Sequence, residues 1–267
     1  MPDTLERGNL REIEMLNQRG GRTLSIADLM EAGTITPEAA GFAMWHVARG
    51  ASLLTGAVPG GAGKSTLLAD LLGMLPPGEE VVTTPDDRSV SASGRDPDHS
   101  GKCYLCHEFG HASIYGYLWG PTVGRFLELN ESGGRIAACL HADDVLQTRS
   151  ILVAPHMGVD AEAFGRVGLM LFMAVDGRGF GASRQVRSVS VADGAGGHRL
   201  AFDRDPGTGE LVSLGVEPEE DAEGPSLAAC QEFMAGLLDG DLRMFEDVRE
   251  ASLAFYSAKK GQTPFSR

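Results

Sequence analysis

Short apolar runs alternate with segments of helical periodicity through the middle of the chain. The apolar runs predict strands, because their length and their flanking turn residues suit a buried sheet. The segments between them place apolar residues three and four positions apart, as an amphipathic helix does. One strand is expected to end at Leu54, and further strands are expected at residues 80–84, 102–108, 135–141, 167–175 and 185–192. Helices are expected at residues 37–49, 115–130 and 142–153, and one more is expected to begin at Thr66. This alternation predicts an α/β fold in which a mostly parallel sheet is flanked by helices.

The N-terminal part of the chain has a broken helical pattern over residues 8–45. Thr36 before Pro37 is a typical N-cap followed by a typical first helical residue, so a helix is expected to begin there. Residues 85–101 are polar and rich in turn-forming residues, and they predict a long loop. Loops of that length are usually functional or mobile.

The C-terminal part predicts a β-hairpin at residues 198–214, around a Pro-Gly-Thr-Gly turn. An acidic linker at 217–223 separates this hairpin from a helical pair near 225–239 and 241–259. We therefore expect three regions: a short helical N-terminal segment at 1–50, a core at 51–215, and the acidic linker with the helical pair at 216–267.

A glycine-rich turn joins the first predicted strand to a helix at residues 58–66, Val-Pro-Gly-Gly-Ala-Gly-Lys-Ser-Thr. Backbone N–H groups freed by such a turn, together with the positive end of the helix, can hold a triphosphate. Lys64 is expected to reach the β- and γ-phosphates, and the Ser65 hydroxyl is expected to hold Mg²⁺. Val58 occupies the place of the first glycine in the strict pattern, and a β-branched residue is poor where a turn needs unusual dihedrals. The predicted nucleotide-binding residues are Pro59, Gly60, Gly61, Ala62, Gly63, Lys64, Ser65 and Thr66.

Composition narrows the class of protein. The chain has 267 residues, of which 42% are hydrophobic and 22% charged, and these are ordinary values for a globular protein. The formal charge of −14 argues against a broad nucleic-acid-binding face. No apolar run approaches the roughly 18 residues of a membrane-spanning helix, and the acidic N-terminus does not have the pattern of a signal peptide. Four scattered cysteines favour a reducing cytoplasm over a disulfide framework.

Cys103, Cys106, His107 and His111 lie close together in the sequence and suggest a metal site. On a strand, however, residues three apart point to opposite faces, so Cys103 and Cys106 are expected to be separate buried thiols. If residues 95–111 formed a loop instead, a Cys/His metal site would again fit the spacing.

Three further segments carry distinctive motifs. Residues 79–87 form an acidic stretch after the second predicted strand, Tyr104–Glu108 ends a strand on a glutamate, and residues 133–142 form a strand that ends in His-Ala. Together with the approach at 24–40 and the segment that begins at Arg184, their order resembles the motor domain of the type II and type IV secretion ATPases. The three segments are similar to the acidic box, the atypical Walker B and the histidine box of that family.

The resemblance covers residues 24 to about 215 and implies a RecA-like P-loop NTPase that binds ATP and Mg²⁺. It implies a ring oligomer, in this family often a hexamer, which acts with a secretion or pilus platform protein at the cytoplasmic face of the inner membrane. Glu108 ends a strand that is expected to lie next to the strand of the phosphate loop, at the sheet edge where ligands bind. Within that family pattern, Glu108 would orient the attacking water and His141 would sense the γ-phosphate. Asp86 and Asp87 would polarise water or support Mg²⁺, with a helix-capping or solvated loop pair as the alternative. Arg88 and Arg95 would act on the nucleotide of a neighbouring subunit, with solvated loop arginines as the alternative.

Three departures from the family pattern leave other functions open. Pro85 replaces the usual glutamate of the acidic box, Gly110 and His111 stand where relatives have an arginine, and only about fifty residues precede the phosphate loop. One alternative is a regulatory protein that binds ATP without hydrolysing it. Another is a P-loop phosphotransferase or kinase, although the sequence has no arginine-rich lid after the helices.

Overall fold

One mixed β-sheet organises this computed structural model, which describes residues 4–17, 20–177, 182–219 and 224–258. Its strands are β1 (Leu53–Gly56), β2 (Glu80–Thr83), β3 (Lys102–Phe109), β4 (Tyr117–Leu118), β5 (Arg135–Leu140), β6 (Leu169–Asp176), β7 (Ser183–Ala192), β8 (His198–Arg204) and β9 (Leu211–Ser213). The strand order is β2-β3-β5-β1-β6-β7-β8-β9, and the short β4 pairs with β3. Strands β2, β3, β5, β1 and β6 are parallel, whereas β7, β8 and β9 continue the sheet in antiparallel pairing. The expected α/β fold with a mostly parallel sheet is therefore confirmed.

Helices cover both faces of the sheet. They are α1 (Thr4–Glu14), α2 (Ile26–Glu31), α3 (Pro37–Ala48), α4 (Lys64–Leu72), α5 (Asp87–Ser93), α6 (Pro121–Glu131), α7 (Val145–Leu152), α8 (Ala161–Gly165), α9 (Leu227–Asp239) and α10 (Phe245–Ser257). One apolar core joins α1–α4, α9 and α10 to one face of the sheet, and a second core joins α5–α8 to the other. Adjacent residues of β1 show the division, because Leu53 belongs to the first core and Leu54 to the second.

Several helix ends follow directly from local sequence. Thr36 caps α3 by accepting a hydrogen bond from the Ala39 amide, and Pro37 is the first helical residue, as predicted. The hairpin of β8 and β9 and the helical pair of α9 and α10 also lie where the pattern placed them. The division of the chain at residues 50 and 215 stays a prediction.

Two local expectations were wrong, and one helix was missed. The polar stretch 85–101 is not one long loop, because Asp86 caps the short helix α5 in a capping box with Ser89. The helix expected from residue 115 begins only at Pro121, since Tyr117 and Leu118 pair with β3 as β4. Helix α8 was not predicted at all.

None of the helices in the described ranges combines the length and the hydropathy that crossing a bilayer requires.

Candidate nucleotide-binding site

The glycine-rich turn lies between β1 and α4 at the carboxyl edge of the parallel strands. Gly61 and Gly63 have φ angles of 76° and 98°, in the left-handed region that favours glycine. Every non-glycine residue in the described ranges has a negative φ, so Val58 is not strained. The left-handed positions fall on Gly61 and Gly63, and the concern that a β-branched residue would disturb the turn was wrong.

The backbone amides of Gly60–Thr66 are unsatisfied within the described part of the chain, where no acceptor for them occurs. Gly63 is the N-cap of α4, and with no side chain it cannot cap the helix. The first-turn amides of any helix lack an intrahelical acceptor. The turn and the helix start therefore present a row of donors and a positive dipole end, an arrangement that binds phosphate.

Lys64 begins α4 and is buried, with 6% of its surface exposed. The Thr55 hydroxyl in β1 donates to the Lys64 carbonyl at 3.1 Å and so fixes the start of the helix against the strand. The Lys64 Nζ atom lies 3.5 Å from Oε2 of Glu108, which is itself only 8% exposed. Each of these two residues has a role predicted from the sequence, and the fold brings them together.

Glu108 reaches the loop although its strand is not the neighbour of β1. Strand β5 lies between β3 and β1, so the sequence-based expectation of adjacent strands was wrong. The pairing of β3 with β5 shifts register between Cys106 and Phe109, at the position of Glu108. A bulge of this kind re-aims a side chain at the end of a strand.

His141 follows β5 directly and joins Glu108 to the phosphate loop. Its Nε2 atom is 3.0 Å from Oε1 of Glu108. Its Nδ1 atom is 3.1 Å from the carbonyl oxygen of Ala57 and 3.0 Å from that of Val58. Asp143 adds a second link, because its carboxylate accepts a hydrogen bond of 2.7 Å from the Val58 amide. The segment after β5 therefore contacts the start of the phosphate loop through two side chains, His141 and Asp143.

A cleft of about 590 Å³ opens above the loop. One part of its wall contains the loop residues 60–66 with Glu108 and His141, and another part comes from the N-terminal segment. The described residues that line the cleft are Leu16, Asn17, Gly20, Arg22, Thr23, Leu24, Gly60–Thr66, Ala69, Glu108, Tyr117, His141 and Arg184. Sequence reasoning gave no site role to the N-terminal wall, to Tyr117 or to Arg184, because their approach to the loop depends on long-range packing.

Ser65 lines the same cleft as Glu108. A hydroxyl and a carboxylate beside a phosphate cradle are the hard oxygen donors that Mg²⁺ prefers, so the residues present fit the ion. Beneath them the Cys139 thiol lies 3.2 Å from the Thr55 hydroxyl and 3.9 Å from the Ser65 hydroxyl. Burial raises the pKa of Cys139 to about 11, so this thiol stays protonated and adds no charge under the loop.

The aspartates of the predicted acidic box are engaged elsewhere. Asp86 caps α5, and hydrogen bonds from the Ser89 amide and hydroxyl lower the pKa of its carboxyl. Asp87 accepts a 2.7 Å hydrogen bond from Thr122 and pairs with Arg125 on α6, and these contacts lower its pKa. Neither aspartate lines the cleft. Their contacts are those of a helix cap and a link between helices.

Arg88 and Arg95, considered above as residues that act on a neighbouring subunit, are exposed and lie outside the cleft wall. Their action on a neighbouring subunit stays a prediction.

The four Cys and His residues near β3 are separated by the strand. Cys103 belongs to the core under α1–α4 and Cys106 to the core on the opposite face, as the three-residue spacing predicted. Burial raises the pKa of the Cys103 thiol to about 12 and raises that of Cys106 as well. His107 is buried against Tyr115, and His111 packs edge-on to Trp119. The described residues contain no group of three or more Cys, His, Asp or Glu side chains placed to share one metal ion.

No known protein-family model matches this sequence, and no curated protein matches it either. Solved structures with a similar backbone include the ATPase DotB of Legionella pneumophila, with a TM-score of 0.41 and 14% identity over 82% of this chain. Another is the VirB11 ATPase of the Brucella suis type IV secretion system in complex with sulphate, with a TM-score of 0.40 and 15% identity over 72% of this chain. This chain spans 56% of the first protein and 64% of the second, less than two thirds of either.

Proposed function

We propose that this protein binds a nucleoside triphosphate with Mg²⁺ and hydrolyses it. The observation that carries the proposal is the set of free amides at Gly60–Thr66, closed by a buried lysine. A row of unsatisfied N–H groups beside a lysine that only one carboxylate offsets favours an anion, and a polyphosphate supplies several negative oxygens in a line. ATP is the proposed nucleotide, on the sequence resemblance described above.

The side chains at the cleft take distinct roles in this proposal. Lys64 and the loop amides bind the β- and γ-phosphates, and the Ser65 hydroxyl holds Mg²⁺. When bound, Mg²⁺ supplies positive charge that offsets the charge on the transferring phosphoryl oxygens. Glu108 accepts a hydrogen bond from the attacking water and orients it toward the γ-phosphate. His141 holds Glu108 in place through its 3.0 Å contact.

A motor function is the finer part of the proposal. The N-terminal segment contributes Leu16, Asn17 and residues 22–24 to the wall of the cleft that the phosphate loop also lines. A nucleotide in this cleft would contact both, so its binding and hydrolysis would bias the position of the N-terminal segment. We propose that this coupling works in a ring of subunits, in a secretion or pilus assembly at the cytoplasmic face of a membrane. The sequence resemblance in the Walker B and histidine boxes supports this part.

The arrangement of Glu108 favours one alternative function. Both carboxylate oxygens have a partner, since His141 lies at Oε1 and Lys64 at Oε2. These two contacts stabilise the ionised carboxylate and so lower its tendency to take a proton from water while they persist. A protein in which the contacts persist with nucleotide bound would bind ATP and regulate a partner without turnover.

Binding and phosphate release, measured together, test the proposal. The wild type is expected to bind MgATP and to release phosphate, and Lys64→Ala is expected to lose both. Lys102→Ala is the matched control, because Lys102 pairs with Asp96 away from the cleft and should leave both measurements unchanged. Binding without phosphate release in the wild type would support the regulatory alternative, and no binding would refute both. Light scattering with and without MgATP tests the ring, since the motor proposal requires a larger assembly with nucleotide.

A further inference from the structure

Two arginines line the cleft in the described ranges, and their guanidinium groups are used differently. Arg22 donates to both carboxylate oxygens of Asp28 at 2.8 Å and to the Arg243 carbonyl at 2.7 Å. The side chain of Arg184 makes one hydrogen bond with the described residues, from its Nε atom to the Gly61 carbonyl at 2.7 Å. Arg22 is therefore committed to holding the N-terminal segment, whereas Arg184 keeps most of its donors free.

Arg184 lies directly against the phosphate loop. It is the second residue of β7 and pairs with Val175 near the end of β6, the strand beside β1. Its Cδ atom would be 3.8 Å from a Cβ atom built on Gly63, so its stem runs along the helix start. The hydrogen bond from Arg184 Nε holds the Gly61 carbonyl toward Arg184. Gly61 has a φ of 76°, so this bond supports a left-handed position of the phosphate loop.

We infer that Arg184 is a phosphate-binding residue of this cleft, contributed by the same chain as the loop. The inference rests on the proposed nucleotide binding. A guanidinium has five N–H donors in a planar fork, and one is spent on Gly61. The terminal Nη1 and Nη2 groups have no partner among the described residues, and Arg184 lines the cleft, so they can donate to two oxygens of one phosphate there.

The charge balance of the cleft also calls for this residue. Lys64 is the other cationic side chain at the loop, and it lies 3.5 Å from the carboxylate of Glu108, which offsets part of its charge. A magnesium-bound triphosphate keeps a net negative charge. Arg184 adds a positive charge that no carboxylate in the described ranges pairs with at salt-bridge distance. Because Arg184 belongs to β7, its contact with the phosphates would link that strand to the bound nucleotide.

The test compares Arg184→Gln, Arg184→Lys and the control Arg187→Gln in titrations with a ribose-labelled fluorescent ATP analogue and Mg²⁺. Arg187 lies on the same strand and is exposed, outside the cleft wall. Arg184→Gln removes the charge and is expected to weaken binding by about ten- to a hundredfold. Arg184→Lys keeps the charge without the fork, and it should lose less than about tenfold. Arg187→Gln should bind as the wild type does.

The lysine variant separates phosphate binding from bracing of the loop alone. If Arg184 only held the Gly61 carbonyl, the lysine and glutamine variants would be impaired equally, because each side chain ends in an N–H donor for that carbonyl and only their charges differ. Equal impairment, or an Arg184→Gln affinity within twofold of the wild type, would overturn the inference and leave the proposed function intact. Absence of analogue binding to the wild type would instead refute the proposed function, and the inference with it. Thermal unfolding without nucleotide confirms that each variant is folded.

Discussion

The Lys64 Nζ atom lies 3.5 Å from Oε2 of Glu108, and both side chains are almost fully buried at the edge of the phosphate loop. The pair satisfies two charges that would otherwise be buried alone, at a substantial desolvation cost. A triphosphate would compete with Glu108 for the ammonium group. Nucleotide binding is therefore expected to loosen the pair and to free the carboxylate for water.

This relationship predicts the behaviour of Glu108→Gln. The substitution removes a negative charge beside the phosphates and the competitor for Lys64, so MgATP affinity should be equal to or higher than that of the wild type. Phosphate release should fall by about a hundred- to ten-thousandfold, since the amide cannot accept a proton from water. The two effects are measured by nucleotide titration and by single-turnover phosphate release. Undiminished release in the variant would exclude Glu108 as the base.

A second prediction concerns the left-handed turn. Gly63→Ala places a side chain at a φ of 98° and brings Cβ within 3.2 Å of the Met173 Cε atom. The strain should lower the free energy of unfolding by about 1–2 kcal/mol, and the displaced amides should weaken nucleotide binding. Urea unfolding monitored by circular dichroism measures the first effect, and nucleotide titration measures the second.

Gly60→Ala is the control for that experiment. Gly60 has no left-handed φ, and a Cβ built there meets no atom within 4 Å. Its free energy of unfolding should match that of the wild type to within about 0.5 kcal/mol. Equal destabilisation by both substitutions would contradict the assignment of the strained position to Gly63.

A third prediction concerns the buried ion pair between the first and last helices. The Arg249 guanidinium donates to both carboxylate oxygens of Glu6 at 3.0 Å and also to the Gly73 and Leu75 carbonyls beyond the end of α4. Arg249→Ala leaves buried acceptors without their donor, and the expected loss of stability is about 3–5 kcal/mol.

Glu31→Gln provides the comparison, because Glu31 pairs with Arg243 at the surface and should contribute about 1 kcal/mol or less. Chemical denaturation of both variants measures the difference. A similar small loss in both would show that the pair of Glu6 and Arg249 does not hold α1 and α10 to the end of α4.

A fourth prediction concerns pH. Asp70 on α4 is buried and neither of its carboxyl oxygens has a hydrogen-bond partner in the described ranges, and burial together with the nearby charge of Asp28 raises its pKa well above the ordinary range. Above a pH of about 4 the unfolded chain releases this proton while the folded chain retains it. The contribution of Asp70 to stability is therefore fully present at low pH and is lost as the pH rises toward its folded-state pKa.

Asp70→Asn removes this dependence. At pH 7 the variant should be more stable than the wild type by more than about 1 kcal/mol, and the gain should shrink as the pH approaches 4. Urea unfolding at pH 4, 5.5 and 7 measures it. A gain that stays constant over this range would show that the folded and unfolded chains hold the Asp70 proton equally.

Much of the site was predictable where it depends on local sequence. The turn at Gly63 and Lys64 and the strand ends at Glu108 and His141 follow from periodicity, glycine placement and the rule that parallel strands end at one edge. The catalytic role of Asp86 stays a prediction, and the structure uses its carboxylate as the N-cap of α5 in a capping box with Ser89.

The remaining parts of the site depend on packing that sequence does not reveal. Arg184 reaches Gly61 only because β7 turns back beside β6, and the N-terminal wall reaches the cleft only because α1 packs on the sheet beside α4. The contact of Glu108 with Lys64 likewise crosses an intervening strand through a register shift.

Isothermal titration calorimetry with MgATP, on the wild type and on Lys64→Ala, tests the central claim most directly. The account predicts saturable heat at one site per chain for the wild type and none for the variant, which should remain folded. Absence of heat with the wild type at millimolar ATP or GTP, or equal binding by the two proteins, would contradict the assignment of a polyphosphate to the loop at Lys64.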